Sequence, residues 1–327
     1  MGFINRRRFV GGVLASIGGA ALPAAHAAVY PTKPIRLIIP FGAGGPTDTL
    51  GRALAERLTA QFGQNVVVEN RTGAGGNIGT DVVAKSPPDG YTLLLTTTGP
   101  LAGNLTLFKQ LPYDPLKDFA PITLFTYLPN MLAVHPSVPV NNFAEFIEYV
   151  KARPNELSFG SGGNGTSSHL AGELLKVMTG IQMTHIPYKG DGASMTDIIS
   201  GQIPIVFCSV LAGMRYIDSG RIKVLAVTSV KRVPAIGNVP TIAESGLPGY
   251  DFAAWYSVMA PAGTPRDIVD KLNKTIVGII NSPDFKAKIE SMGGIPVGST
   301  PELVTAVIKE DIPKWAKLIQ ESGATVD

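Results

Sequence analysis

The sequence predicts an α/β protein of two lobes, each lobe a mostly parallel sheet flanked by helices. Short apolar runs typical of buried strands alternate with amphipathic helical patterns along most of the 327 residues. Such alternation favours parallel sheets covered by helices on both faces. There is enough material for two sheets, and no low-complexity linker separates them. The economical arrangement is therefore two α/β units side by side.

The beginning of the chain has the pattern of an export signal. Arg6 to Arg8 precede an apolar run from Phe9 to Leu22, and Ala25-His26-Ala27 matches a small-residue cleavage site. We therefore expect residues 1–27 to be a signal peptide that is cleaved after Ala27. The adjacent arginines fit a twin-arginine signal, although a general secretory signal has almost the same pattern.

Removal of this segment changes the charge balance. The chain has 28 basic and 25 acidic residues, and the leader arginines account for the difference. A balanced mature chain without a basic run argues against nucleic acid as a partner. The single cysteine, Cys208, excludes an internal disulfide, and its place in the apolar run IPIVFCS predicts a buried strand residue.

The first part of the mature chain contains three predicted strands. IRLIIP is followed by a helix in which Leu50, Leu54 and Leu58 recur at four-residue spacing. QNVVVEN is the second strand, and the glycine-opened segment GAGGNIGTDVVAKS is the next helix. YTLLLTTTG is the third strand.

The middle of the chain repeats this scheme. After the strand MLAVHP, Asn142 and Glu145 form a capping box for a helix with Phe143, Ile147 and Val150 inward. ELSFGSGGNGTSSHLAGELLKVM again contains a strand, a glycine loop and a helix. The strands MTHIPYKG, IPIVFCS and IKVLAVTS follow, with the helical segments ASMTDIISG and LAGMRYIDSG between them.

The end of the chain returns to the first lobe in this prediction. WYSVMAP is a strand, and two amphipathic helices cover Pro265 to Asn281 and Pro301 to Ser322. We expect crossings between the lobes near Leu132–His135 and Trp255–Met259. Residues 28–131 and 255–327 then form lobe I, and residues 132–254 form lobe II.

The glycine-rich loops do not match nucleotide-binding motifs. A Walker loop needs a lysine that the segment from Gly42 to Thr49 lacks. Gly160, Gly162 and Gly165 match G-x-G-x-x-G, but the next strand ends in HIPYKG, where a ribose ligand should be acidic. We expect no nucleotide cofactor.

Catalytic motifs are also absent from the sequence. It contains no G-x-S-x-G elbow, and His135, His169 and His185 have no acidic residue at a spacing typical of a triad. His169 and Glu173 share a helix face, but two ligands are too few for a metal site. We therefore predict neither catalysis nor a metal.

Helix starts explain the glycine loops better. The N-terminus of a helix carries unpaired N–H groups and a partial positive charge. GAGGPTD and GSGGNGTSS would present such groups, with the hydroxyls of Thr47, Thr166 and Ser167, to an anion such as a carboxylate. Asp48 has two interpretations, which stay open: it caps the first turn, or it accepts a hydrogen bond from a ligand donor or a water molecule.

Six segments, in order, resemble the Bug family, the periplasmic solute receptors of tripartite tricarboxylate transporters. They are YPTKPIRLIIPFGAGGPTDTLGRALAERL, VVVENRTGAGGNIGTDVVAKSPPDGYTLL, FGSGGNGTSSHLAGELLK, HIPYKGDGASMTDIISGQI, VPTIAESGLPGY and WYSVMAPAGTP. The resemblance covers essentially the whole mature chain. It implies a type II, Venus-flytrap-like binding protein in the periplasm, a monomer that holds a small di-, tri- or aromatic carboxylate between its lobes. It also implies membrane permease subunits as the partner.

The resemblance also implies the ligand-binding residues. They are Phe41, Gly42, Ala43, Gly44, Gly45, Thr47, Asp48, Thr97, Thr98, Ser161, Gly162, Gly165, Thr166, Ser167, His169, Lys189, Gly190, Ala193 and Cys208. The family commonly has an acidic residue at the position of Cys208, where it could pair with a ligand amine. Its loss weakens the case for an amino acid ligand.

Two further hypotheses come from other classes of function. Such a receptor could signal to a membrane sensor kinase instead of, or besides, delivering its ligand to a permease. An enzyme acting on a small carboxylate is the other alternative. The sequence does not separate transport from sensing.

Overall fold

The structure is a computed structural model that describes residues 1–2 and 30–326. The strands are β1 (Ile35–Ile39), β2 (Val66–Asn70), β3 (Thr92–Thr97), β4 (Phe119–Val134), β5 (Ser158–Ser161), β6 (Thr184–Pro187), β7 (Ile205–Ser209), β8 (Lys223–Val227), β9 (Ala253–Pro261) and β10 (Ile295–Pro296). The predicted signal peptide and its cleavage site fall almost entirely outside the described residues.

Helices follow most of the strands. They are α1 (Pro46–Phe62), α2 (Asn77–Ala84), α3 (Asn104–Leu107), α4 (Phe143–Lys151), α5 (Ser167–Thr179), α6 (Asp191–Ile199), α7 (Val210–Gly213), α8 (Arg266–Ile280), α9 (Pro283–Ser291) and α10 (Pro301–Ser322). None of these helices has the length and apolarity needed to cross a membrane.

One path of paired strands runs through the molecule in the order β2-β1-β3-β9-β4-β7-β5-β6. The long strand β4 joins its two halves. Residues from Phe119 to Pro129 pair with β9, whereas Asn130 to Val134 pair with β7 and β8. The path therefore divides into a first sheet around β1 and β3 and a second sheet around β5 and β7. This curled α/β arrangement confirms the two-lobed fold class.

The sheets are mixed, whereas the sequence predicted mostly parallel ones. Strands β1, β2 and β3 are parallel neighbours, as are β5, β6 and β7. Strand β9 is antiparallel to both β3 and β4, and β4 is antiparallel to β7. Two strands can pair in antiparallel directions whether they are close or far apart in the sequence. The pattern of apolar residues in β4 and β9 therefore did not show that these strands run antiparallel to their neighbours.

The helical patterns were predicted well where the apolar spacing is regular. Leu50, Leu54 and Leu58 of α1 are all buried. At α4, Asn142 accepts a hydrogen bond from the amide of Glu145, which confirms the capping box. The inward residue between Phe143 and Val150 is Phe146, while Ile147, expected there, is only partly buried.

Candidate functional site

A cleft of about 300 Å³ lies where the glycine loops of the two sheets face each other. Its walls come from the loops after β1, β5 and β6, the ends of β3 and β7, and one residue of β9. They are lined by Phe41, Gly42, Ala43, Gly44, Gly45, Pro46, Thr47, Thr97, Gly162, Thr166, Ser167, Ser168, Lys189, Gly190, Asp191, Gly192, Ala193, Ser209 and Tyr256. Carboxyl ends of parallel strands are where such sheets bind ligands.

The cleft continues into a larger recess of about 680 Å³. Gly42, Gly162, Thr166 and Lys189 line both spaces. The recess adds the aromatic side chains of Phe108 and Tyr188 and the glycine run from Gly73 to Gly76. Its wall is therefore more apolar than that of the cleft.

Asp48 holds the first glycine loop in shape. Its carboxylate accepts hydrogen bonds from the Gly44 amide at 2.8 Å, from Arg52 at 2.9 Å and from Asn70 at 3.0 Å. Asn70 also donates to the carbonyl of Phe41 at 3.0 Å. Burial alone would raise the pKa of Asp48, but these partners lower it below its ordinary value. The contact with the Gly44 amide fits the interpretation that Asp48 caps the first turn, and the contacts with Arg52 and Asn70 hold the carboxylate in place.

These contacts correct the expectation that the loop amides are free for a ligand. The Gly44 amide is taken by Asp48, and the Gly45 amide donates to the carbonyl of Gly42 at 3.3 Å. The amide of Thr47 lies in the first turn of α1, where no intrahelical acceptor exists. The hydrogen-bond donors that this loop offers to a ligand are therefore the unpaired amides at the start of α1, rather than the amides of Gly44 and Gly45.

The second glycine loop is also held by its own hydroxyls. Thr166 caps α5 and donates to the carbonyl of Gly163 at 2.7 Å. The Gly162 amide donates to Ser168 at 2.8 Å, and the Gly165 amide donates to His169 at 3.2 Å. These internal hydrogen bonds hold the loop in place without a ligand, and such preorganisation limits the entropy lost on binding.

Within residues 30–326, Lys189 is the single cationic residue that lines the cleft. It is exposed and makes neither an ion pair nor a hydrogen bond with any of the described residues. An unpaired ammonium group at the mouth of a cleft attracts anions, particularly at low ionic strength.

Six expected site residues lie behind the cleft wall instead of lining it. These are Asp48, Thr98, Ser161, Gly165, His169 and Cys208. Ser161 contacts the ring of His185 at 2.6 Å, and Thr98 accepts from the amide of Trp255 at 3.2 Å. Side chains of adjacent residues point in different directions, so the neighbour of a lining residue faces away from the cleft. A continuous sequence motif therefore includes more residues than can contact the ligand.

The buried His169 and the half-buried His185 form a pair beneath the second loop. Their rings stack with centroids 4.0 Å apart, and Glu173 lies 3.8 Å from the Nε2 atom of His169. Burial, with a contribution from Lys176, lowers the pKa of His185 to about 4, and burial lowers the pKa of His169 well below its ordinary value. Both rings are neutral supports of the loop at neutral pH.

The structure adds cleft residues that the motifs did not indicate. They are Pro46, Ser168, Asp191, Gly192, Ser209 and Tyr256. Asp191 is the first residue of α6 and directly follows Lys189 and Gly190. An acidic residue after a glycine is typical of a helix start, so this feature of the sequence could have drawn attention to Asp191. Tyr256 lies on β9 opposite Thr97 of β3, a pairing with no signal in the sequence.

The fold and the cleft define a two-lobed solute-binding protein. Residues 50–324 match the family described as the tripartite tricarboxylate transporter family receptor, and the chain belongs to this family. It is 38% identical over 314 residues to protein BugT of Bordetella pertussis, covering 96% of each chain. The resemblance to the Bug proteins is thereby confirmed.

Two solved structures extend the comparison. The chain is similar to Rhodopseudomonas palustris Rpa4515 with adipate, with a TM-score of 0.87, 39% identity and coverage of 90% of this chain and 98% of that one. It is also similar to MatC of the same organism with bound malate, with a TM-score of 0.83, 29% identity and coverage of 89% and 100%.

Proposed function

We propose that this protein is a periplasmic receptor that captures a small carboxylate in the cleft and delivers it to a tripartite tricarboxylate-type membrane transporter. The observation that carries the proposal is the unpaired Lys189 beside two converging helix starts, α1 and α5. A helix terminus and an ammonium group both favour a negative charge.

The solved relatives support a carboxylate as the ligand. Rpa4515 was solved with adipate and MatC with malate, and both ligands are dicarboxylates. The same similarity supports a binding role and a location in the periplasm. We propose in addition that residues 1–27 are removed and that residues 132–254 form lobe II.

A thermal-shift screen over mono-, di-, tri- and aromatic carboxylic acids tests the proposal. A ligand that binds only the folded state at 100 times its Kd stabilises that state by about 2.7 kcal/mol. We expect at least one carboxylate to raise the melting temperature, while its neutral amide does not. If no carboxylate in the screen shifts the transition, the proposed ligand class is wrong.

Delivery requires a separate experiment. Ligand-loaded protein should retain permease subunits from detergent-solubilised membranes, and ligand-free protein should retain less. Recovery of a sensor kinase without a permease would instead support the signalling alternative. N-terminal sequencing of the periplasmic protein tests the expected first residue, Ala28.

A further inference from the structure

Asp191 places a carboxylate in the wall of a cleft that otherwise favours anions. It is the first residue of α6 and lines the cleft. Its Oδ2 atom accepts a hydrogen bond from the amide of Ser209, on β7, at 2.9 Å. This contact fixes the carboxylate between α6 and the end of β7.

The second carboxylate oxygen lies close to the opposite loop. A methyl group added at Gly162 would come within 2.7 Å of the Oδ1 atom of Asp191. Gly162 also lines the cleft, so the carboxylate reaches the space between the β5 and β6 loops. The absence of a side chain at Gly162 leaves room for it.

The surroundings of Asp191 are hydroxyl groups rather than cations. Burial raises the pKa of Asp191 above its ordinary value, and the hydrogen bonds from Ser209 and Ser168 act in the opposite direction. The pKa of the nearby Tyr256 phenol is raised by burial and then by the charge of Asp191. Among the described residues, Asp191 makes no salt bridge. The cleft wall therefore contains the carboxylate of Asp191 as well as the ammonium group of Lys189.

A ligand carboxylate beside Asp191 is disfavoured, because like charges at close range repel each other. A hydrogen-bond donor of the ligand at this position would instead be favoured. We propose that Asp191 binds a hydroxyl or ammonium donor of the ligand, so that the receptor selects donor-bearing carboxylates over their unsubstituted analogues. This inference rests on the proposed carboxylate-binding function.

The position of Asp191 also bears on Cys208. Cys208 is buried on β7, next to Ser209, and the charge of Asp191 contributes, after burial, to raising the pKa of its thiol. The two side chains are therefore neighbours. An acidic group from α6 therefore lies beside position 208, and amino acids belong to the set of possible ligands.

Titration calorimetry with two matched ligand series tests this inference. One series is succinate, malate and aspartate, and the other is phenylacetate, mandelate and phenylglycine. In at least one series we expect the hydroxyl or ammonium compound to bind about 10- to 100-fold more tightly than its parent acid, as a charge-assisted hydrogen bond allows. Preference for the hydroxyl compound identifies an alcohol as the donor, and preference for the amine identifies an ammonium group.

Asp191→Asn should remove this discrimination. Its side-chain oxygen still accepts from Ser209, and loss of the negative charge should weaken the donor-bearing ligand while the parent acid binds equally well or better. Asp218→Asn, at an exposed position outside the cleft, makes the same charge change and should alter neither affinity. If Asp191→Asn fails to fold, Gly162→Ala displaces the carboxylate and should give the same loss.

The outcomes separate the two proposals. Parent and donor-bearing acids of equal affinity, or a variant at position 191 with unchanged discrimination, would overturn the role of Asp191 and leave carboxylate binding intact. Failure of every compound, and of the whole carboxylate screen, would overturn the proposed function itself.

Discussion

Gly44 and Lys189 allow two ways of holding an anion to be compared: the start of α1, which the loop containing Gly44 precedes, and a charged side chain. Gly44 has a φ of 76°, and a Cβ added there would meet no atom within 4 Å, so a side chain would extend into the open cleft. Lys189 contributes a mobile charge at the edge of the same space. The loop fixes the position of the ligand, whereas the lysine adds attraction without a fixed geometry.

We expect Gly44→Val to abolish ligand binding, since a β-branched residue is strained at this φ and occupies the ligand's space. Lys189→Ala should weaken affinity only about tenfold, a cost near 1.4 kcal/mol. Calorimetry with the best carboxylate of the screen measures both effects.

Two control variants isolate these causes. Gly220→Val carries similar backbone strain at a φ of 65°, with open space around it and outside the cleft, so it should still bind. Lys286→Ala removes an exposed positive charge outside the cleft and should leave the ligand affinity unchanged. If Lys189→Ala eliminates binding and Gly44→Val retains it, the ligand is held by a salt bridge to Lys189 and not by the loop that contains Gly44.

The buried histidines predict a loss of stability in weak acid. The pKa of His185 is about 4 in the folded protein and about 6.5 in the unfolded chain. Below about pH 6.5 the unfolded state binds a proton that the folded state does not, so stability falls as the pH decreases toward 4. His169 acts in the same direction, and Glu173, whose pKa is raised by burial, acts oppositely.

His185→Gln isolates this contribution. Between pH 7 and pH 5 we expect the melting temperature of the unaltered protein to fall ~3 °C or more beyond the fall in the variant. Differential scanning calorimetry at both pH values makes the comparison. Equal pH dependence in the two proteins would show that His185 does not titrate as the structure implies.

At the scale of elements, β4 illustrates where sequence patterns fail. The apolar run MLAVHP predicted only its end, whereas the strand begins at Phe119. Pro121 and Pro129 lie inside it, and proline argues against a central strand. The ladder shifts register after Pro121 and again after Leu124, and Pro129 forms the last pair with β9, opposite Ala253. Helix α9 was missed because its apolar positions, Phe285 and Ile289, are too few for a clear period.

A close approach of two elements predicts a sensitive glycine. Gly99 follows β3, and a Cβ there would lie 2.3 Å from the carbonyl oxygen of Gly165, in the loop before α5. Gly99→Ala must therefore separate these backbones, and we expect a loss of about 1–3 kcal/mol in the free energy of unfolding. Urea denaturation measures this change.

Gly278→Ala is the matched control for this variant. Gly278 lies in α8, and a Cβ there would meet no atom within 4 Å. Alanine in a helix interior is favoured over glycine by about 0.5–1 kcal/mol, so this change should stabilise the protein. A neutral Gly99→Ala would contradict the tight contact between the two loops.

At the scale of the whole molecule, β4 and β9 connect the two halves. Trp255 of β9 is buried, and its indole donates to Asp311 of α10 at 2.6 Å. Trp315 of α10 packs edge-on against Phe252, with centroids 4.8 Å apart. Ligand-driven closure about these connections requires contacts that exist only in the closed state.

We expect saturating ligand to close the lobes about a hinge near His135 and Trp255. Small-angle scattering should give a smaller radius of gyration with ligand than without it, and Gly44→Val should give no change. In a Trp315→Phe background, the fluorescence of Trp255 provides a second measure. An unchanged radius at saturation would contradict closure, provided that the free protein is open.

The sequence by itself determined the α/β class, the regular helices and the loops that face the cleft. These features depend on periodicity, helix caps and glycine placement within a few adjacent residues, as in α1 and the capping box at Asn142. Such features form through interactions between residues that are close in the sequence, so the sequence pattern is sufficient to predict them. Most of the expected loop residues accordingly line the cleft.

Only the tertiary structure decided which side chains of those loops face a ligand. Asp48 and His169 belong to the right motifs but make their contacts inside them. Asp191 is held at the cleft by the amide of Ser209, 18 residues further along the chain, and Tyr256 reaches the cleft through the pairing of β9 with β3. Strand direction, the path of β4 and the charge of the cleft wall all depend on contacts between residues far apart in the chain. No local pattern specifies such contacts, because burial and pairing are properties of the assembled fold.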